Sequence, residues 1–426
     1  MKNSIAYFGR VFRDWREQIA GISLADRRYH FYAIGKTGVG KTTMLENMIV
    51  SDILSGQGLA LIDPHGDLAE RILDFIPSSR ISEVIYFSPS DTERPIGFNI
   101  LEKKDSFSKH LIASSLVSVF KKVWIDSWGP RLEHLLRNCV LALLDYPGST
   151  LLGIMKILID EKFRDKVVKG IEDPVVRLFW EKEFLKYPDR FLAEVISPLQ
   201  NKIGAFLTNL PIRNIVGQTK SSFDLEKTIN KGGIFIANLS KGLLGEDVAS
   251  LLGSLLITKF ELAAMKRVSL PEDKRSDFFL YIDEFQSFTT QSFVDILSQA
   301  RKYRLNLILT HQYLAQVDER IRNAVLGNVG TIVVFRVGPE DAQVLEKEFQ
   351  LNYSWLDLIN SPPYEIYFKV MENGRISGPL RGTSLPPLSE NFKQGNKDKI
   401  KKFSRHRYGR DRKEIERKIE RWLSSH

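Results

Sequence analysis

Apolar positions fall into two regimes along this chain. Short continuous apolar runs occur at Tyr29–Ile34, Gly58–Asp63 and Val84–Phe87. They resume at Gly233–Leu239, Phe278–Asp283, Leu305–Thr310, Gly330–Arg336 and Glu365–Val370. Each run is too short for a helix and is followed by a stretch long enough for one. That pattern predicts strands buried on both faces, in a mainly parallel sheet with crossover helices. From Asp105 to about Asn214 the strand signal vanishes. Helical spacing replaces it at His110–Lys121, Arg131–Tyr146, Leu151–Asp160 and Val176–Lys186. The pattern therefore predicts an α/β core interrupted by an all-α domain. The expected divisions are a partly helical lead-in at 1–25, core at 26–104, insert at 105–214, core at 215–385, and a tail at 386–426.

Charge singles out the tail. Residues 391–426 contain thirteen Lys or Arg against five Asp or Glu, a net of +8, whereas the whole chain is +9. A basic tail on a near-neutral body suggests a polyanion partner. The same segment also has helical spacing at Ile415, Ile419 and Trp422/Leu423, the mark of a solvated helix with one apolar face. The single cysteine, Cys139, lies in an apolar run, cannot form an internal disulfide, and reads as a small core residue. No apolar stretch is expected to span a bilayer: Val140–Leu158 is broken by Asp145, Pro147, Gly148 and Lys156. The first residues lack a signal-peptide core. The expected location is the cytoplasm, or the inner face of a membrane as a peripheral partner.

The chemistry begins after the first core strand. Gly35-Lys36-Thr37-Gly38-Val39-Gly40-Lys41-Thr42 fits the phosphate-loop pattern at every fixed position, and a helix-compatible run starts at Thr43. Glycines let backbone N–H groups turn around a polyphosphate, and a helix N-terminus adds partial positive charge. Residues 35–43 are thus the candidate ATP-binding segment. Lys41 would reach the β- and γ-phosphates and Thr42 would bind Mg²⁺. Phe278–Ile282 ends in Asp283-Glu284. Asp283 is the candidate for the Mg²⁺ shell and Glu284 for orienting or deprotonating water. Leu305–Thr310 is a further buried strand with His311 and Gln312 at its tip. Gln312 is the candidate γ-phosphate sensor and His311 a local structural residue. Arg301 is the first candidate for an arginine supplied across a subunit interface, and Arg336 the second. Asp63-Pro64-His65-Gly66-Asp67 has no zinc-ligand spacing and is assigned a conformational role near the nucleotide or a neighbouring subunit.

Six segments taken in order resemble one group, the hexameric DNA-pumping ATPases of the HerA/FtsK type. They are Gly35–Thr42, Ile62–Leu68, Trp128–Asn138, Gly232–Gly242, Tyr281–Phe288 and Ala300–Gln312. Within that group the chain looks most like the conjugative coupling proteins of type IV secretion. The resemblance spans Arg27 to about Pro387. It implies a RecA-like P-loop motor of the additional-strand, catalytic-glutamate type, with an all-α domain that meets DNA. It also implies a homohexamer, ATP and Mg²⁺ as cofactors, and a relaxase or secretion components as partners. Many coupling proteins carry an N-terminal transmembrane anchor, which this sequence is not expected to have. Two rival readings are a soluble HerA-like motor on double-stranded DNA for repair or defence, and a secretion or pilus ATPase that moves protein. Glu284 argues against a non-hydrolysing nucleotide switch. Lys121, Lys122, Arg131 and Arg137 are candidate DNA contacts on the insert.

Overall fold

The computed structural model describes residues 5–13, 16–102, 109–290, 293–349 and 352–425. Its strands are β1 (Ile5–Arg13), β2 (Arg16–Ser23), β3 (Phe31–Ile34), β4 (Gly58–Asp63), β5 (Val84–Phe87) and β6 (Ile234–Asn238). Then come β7 (Phe278–Ile282), β8 (Leu305–His311), β9 (Thr331–Val334), β10 (Glu365–Glu372) and β11 (Arg375–Ser384). They form one sheet in the order β2-β1-β11-β10-β9-β3-β8-β7-β4-β6-β5. The run from β9 through β6 is parallel. Every residue of β3, β4, β6, β7, β8 and β9 is buried, which is why these strands read as continuous apolar runs. β8 lies between β3 and β7, as the additional strand should.

The other end of the sheet is antiparallel. β10 pairs with β9, β11 with β10, β1 with β11, and β2 with β1. This corrects the expectation for residues 1–25, whose described part is a β-hairpin and not a partly helical lead-in. Phe8, Val11, Phe12 and Ile19 imitate helical spacing, but in β1 buried Ala6, Phe8 and Val11 face the core while Tyr7, Arg10 and Phe12 face out. A bulge between Tyr7 and Gly9 accommodates the uneven spacing. β11 is a strand beyond those expected, because Gly378, Pro379 and Gly382 interrupt its pattern. Its partner is set by the turn Asn373-Gly374, both left-handed (φ 52° and 76°), with Asp26 accepting both N–H groups at 3.1 and 2.9 Å.

The chain divides into two compact units. The first comprises Met1–Tyr86, Leu225–Ser240 and Ala263–Phe403, and holds the sheet's core. The second comprises Phe87–Asp224, Lys241–Leu262 and Ser404–His426. Its helices include Lys109–Val123, Pro130–Asp145, Leu152–Ile159, Asp189–Thr208 and Leu210–Val216, around Leu136, Cys139, Ile154 and Ile157. Burial pushes the Cys139 thiol far above its ordinary range. This unit reaches beyond the expected insert at 105–214, taking in Lys241–Leu262 and Ser404–His426 as well.

The tail expected at 386–426 is not a separate element. Residues 386–403 belong to the first unit, where Ile400 is fully buried in the core and Asn396 Nδ2 donates to the Ile76 carbonyl at 3.0 Å. The rest belongs to the second unit, where Ile415 and Ile419 are buried and Lys156 Nζ donates to the Trp422 carbonyl at 2.7 Å.

One helical stretch among the described residues, Glu246–Ser269, is long and apolar enough to cross a membrane, contrary to the expectation that no stretch would be. Its apolar window is 72% buried, as a core helix would be.

Candidate functional site

The site is built at the C-terminal ends of β3, β8, β7 and β4, four adjacent strands. The loop after β3 is tied to its neighbours at the start: Gly35 N donates to the His311 carbonyl at 3.2 Å and Lys36 N to the Arg336 carbonyl at 2.8 Å. A side chain on Gly35 would meet Phe335 Cβ at 2.5 Å, so glycine is needed there. Gly38 and Gly40 have φ of 78° and 112°, the conformation that turns the backbone inward. The helix Lys41–Leu54 then begins. Lys36, Thr37 and Gly38 are exposed and Thr42 and Thr43 half-buried, leaving an open mouth at the helix N-terminus.

Lys41 folds back over the loop. Its Nζ donates to the Gly35 carbonyl at 2.5 Å and to Lys36 O at 2.8 Å. Burial pulls its pKa down to about 8, with Asp283 and Glu284 opposing. A phosphate would supply better acceptors than these carbonyls, since its charge matches the ammonium.

Asp283 directly follows β7 and accepts from Thr310 Oγ1. Burial raises its carboxyl to about 6, with Asp63 and Glu284 adding to the rise. Among the described residues no group of three or more His, Cys, Asp or Glu is placed to hold a metal ion. One hydroxyl, from Thr42, and one carboxylate, from Asp283, nonetheless fit Mg²⁺. This ion is bound through few protein groups, and keeps waters and substrate phosphates in its shell. Thr42 and Asp283 are the residues that would hold it.

Glu284 follows in a left-handed conformation, φ 46° and ψ 55°. Its N–H donates to Asp283 Oδ1 at 3.1 Å and Thr310 Oγ1 at 3.2 Å. Its carboxylate turns across the strand tips. Gln312 Nε2 donates to Glu284 Oε1, while Gln312 Oε1 accepts from Thr37 Oγ1 at 3.4 Å. On the other side His65 Nε2 lies 2.9 Å from Glu284 Oε2. His311 is fully buried, bonded through Nδ1 to Tyr32 OH at 2.9 Å, and packed edge-on against Phe285. Burial drives its pKa down to about 3, so it is neutral.

The arginines separate. Arg301 is exposed, with its guanidinium 3.6 Å over the Tyr29 ring. Tyr29 precedes β3, so Arg301 lies at the end of the sheet opposite its own phosphate loop. Arg336 is half-buried and its carbonyl is beside that loop. The candidate DNA cations are mostly engaged: Lys121 and Arg137 approach Glu133 at 3.4 and 3.7 Å, Arg131 lies over Phe191 at 5.4 Å, and Lys122 is held below its usual range by burial.

Two features lay outside the sequence reading. One is the His65–Glu284 contact. The other is a buried triad. Arg27 bonds Asp52 through both guanidinium NH₂ groups at 2.6 and 2.8 Å, and the second also reaches Tyr281 OH at 2.7 Å. It ties the phosphate-loop helix to β7. The run Ile62–Leu68 hinted at the first. Nothing in the spacing of Arg27, Asp52 and Tyr281 could reveal the second.

Residues 16–349 match the family model of the type IV secretion-system coupling protein DNA-binding domain. The fold matches the bacterial conjugative coupling protein TrwBΔN70 in unbound form, with TM-score 0.63, 16% identity, and 87% of each chain covered. It matches TrwB in complex with ADP and Mg²⁺, with TM-score 0.62, 17% identity, and 86% of this chain and 87% of that one covered. It also matches VirB4 of Thermoanaerobacter pseudethanolicus, with TM-score 0.58, 13% identity, and coverage of 92% and 97%. A search of curated protein sequences finds no match. At these identities the structures establish the fold, that of a RecA-like P-loop ATPase.

Proposed function

The chain belongs to the type IV secretion-system coupling protein family, and on that premise we propose that it hydrolyses ATP to move DNA through a homohexameric ring. The observation that carries this reading is the row Thr37–Gln312–Glu284, which joins the phosphate loop to a water-activating carboxylate. A polar side chain between the loop and a catalytic acid is suited to register the γ-phosphate and relay its presence to the acid.

The roles follow from position. Lys41 and the loop N–H groups of residues 35–43 hold the phosphates. Thr42 and Asp283 hold Mg²⁺, which supplies charge neutralisation at the phosphates when bound. Glu284 orients water and accepts its proton. Arg301, remote from its own loop, serves a neighbour's site. DNA is held chiefly through its backbone, so binding is salt-dependent and weakly sequence-specific. Relaxase or secretion components deliver the cargo at the cytoplasmic face of a membrane. In support, TrwB was observed with ADP and Mg²⁺ on the same fold.

The test is hydrolysis with and without DNA. Lys41→Ala should weaken nucleotide binding, whereas Glu284→Gln should bind normally and turn over at least about 10²-fold slower, as for loss of a general base. DNA should stimulate the wild type. Stimulation by an unfolded protein cargo and not by DNA would favour the protein-moving reading. A preference for double-stranded over single-stranded DNA would favour a HerA-like motor.

A further inference from the structure

The loop after β4 is not used by the roles above. It carries His65 at the tip of the strand next to β7. Thr37, Gln312, Glu284 and His65 follow β3, β8, β7 and β4, so their side-chain contacts cross four adjacent strand tips in sheet order. Gln312 secures one carboxylate oxygen of Glu284 and His65 the other.

His65 is well placed to fix a neighbour because its own loop is fixed. Asp63 Oδ1 accepts from His65 N and Oδ2 from Ala69 N, both at 2.9 Å. Gly66 is left-handed, and a Cβ there would meet Asn238 Oδ1 at 2.3 Å. Asn238 Nδ2 in turn donates to Tyr86 OH at 2.9 Å and Glu70 Oε1 at 3.3 Å. Glu70 receives Lys397 and Lys401 at 2.8 and 2.6 Å. The His65 side chain is 42% exposed, so the contact with Glu284 is made from the solvent side.

We infer that His65 is a positioning residue for hydrolysis: its Nε2–H donates to Glu284 Oε2 and holds the carboxylate across the strand tips, in line with Gln312 and the loop. A carboxylate on a rotatable side chain needs two anchors to hold one orientation. Gln312 has a second task at the γ-phosphate, so when it attends to the phosphate His65 still holds the other carboxylate oxygen. The inference rests on Glu284 being the base.

The experiment is steady-state ATPase kinetics with separate nucleotide-affinity measurement on the full chain. His65→Ala should lower kcat about tenfold or more, as misplacing a general base does, with nucleotide affinity within about twofold of wild type. His65→Gln, whose amide can reach the Nε2 position, should recover most of the rate. In the Glu284→Gln background His65→Ala should cost nothing further, because the two act as one unit. Thermal melting would confirm that all variants fold. An unchanged or raised kcat for His65→Ala overturns the inference, as does a loss confined to KM or a His65→Gln variant as slow as His65→Ala. These failures are separable from failure of the base assignment, which would appear as a Glu284→Gln protein that still hydrolyses ATP.

Discussion

Lys41 and Asp283 show how single residues set the working pH of the site. Lys41 has its pKa lowered to about 8 by burial, which Asp283 and Glu284 only partly oppose. Bound phosphate favours the charged amine, so the bound-state pKa is higher. The sign follows: binding takes up a proton between the two values, and affinity falls as pH rises above about 8. We expect nucleotide affinity to drop by up to about tenfold per pH unit in that window, the limit for one linked proton. Lys41→Ala should flatten the profile in a titration from neutral to alkaline pH. Asp283 has the opposite perturbation, raised to about 6 by burial and by Asp63 and Glu284. Its anionic form is lost as pH falls through about 6, so Mg²⁺-dependent turnover should have an acid limb there, measurable as a rise in the Mg²⁺ concentration for half-maximal rate. The identities of Lys41, Thr42, Asp283 and Glu284 were legible because phosphate and metal chemistry dictates residue type and spacing. The side-chain row was not, since it depends on which strands are neighbours: Gln312 and Glu284 are 28 positions apart.

At the scale of elements, legibility tracked burial. β3, β4 and β6–β9 are buried throughout and their sequences say so. β1, β2 and β11 are half exposed, and their apolar residues are too sparse or interrupted to declare a period. The Asn373-Gly374 dipeptide did carry a hairpin signal, with strands Glu365–Glu372 and Arg375–Ser384 on either side. The helical spacing of Ile415 and Ile419 was likewise correct, but spacing cannot name the surface that covers them. The segment from residue 386 is therefore structural as well as basic. Truncation after Asn391 removes Ile400, which is 0% exposed, together with the Asn396 contact. It should destabilise the first unit and lower the melting temperature. Ile400→Ala alone should cost about 2–5 kcal/mol, the usual range for such a buried truncation, read from denaturant unfolding.

Arg301 belongs to the scale of the whole molecule. It lies on Tyr29, before β3, while the phosphate loop follows β3. If a neighbour's site receives it, hydrolysis depends on assembly, and an arginine of this kind is worth about 10³–10⁵ in rate. Arg301→Ala should bind nucleotide normally and hydrolyse little. Mixing it with Glu284→Gln should restore some activity, because one interface in a mixed ring then holds an intact Glu284 and an intact Arg301. The measurement is ATPase rate across mixing ratios, with mixed assemblies verified by native mass. No recovery would move the role to Arg336.

The pairing of β1 with β11 bears on how the protein is made. Residues Gly9, Arg10 and Val11 find their partners at Ser384, Thr383 and Gly382. At roughly 5–20 residues per second, a ribosome completes β1 on the order of tens of seconds before β11 is available. β3 waits similarly for β8 and β9. For that interval the early strands present open edges and apolar faces with no native neighbour, and such edges invite wrong pairing. Yield in a cell should therefore depend on what shields the nascent chain, and a fragment ending before β11 should accumulate as aggregate even though it contains the complete phosphate loop, Asp283 and Glu284.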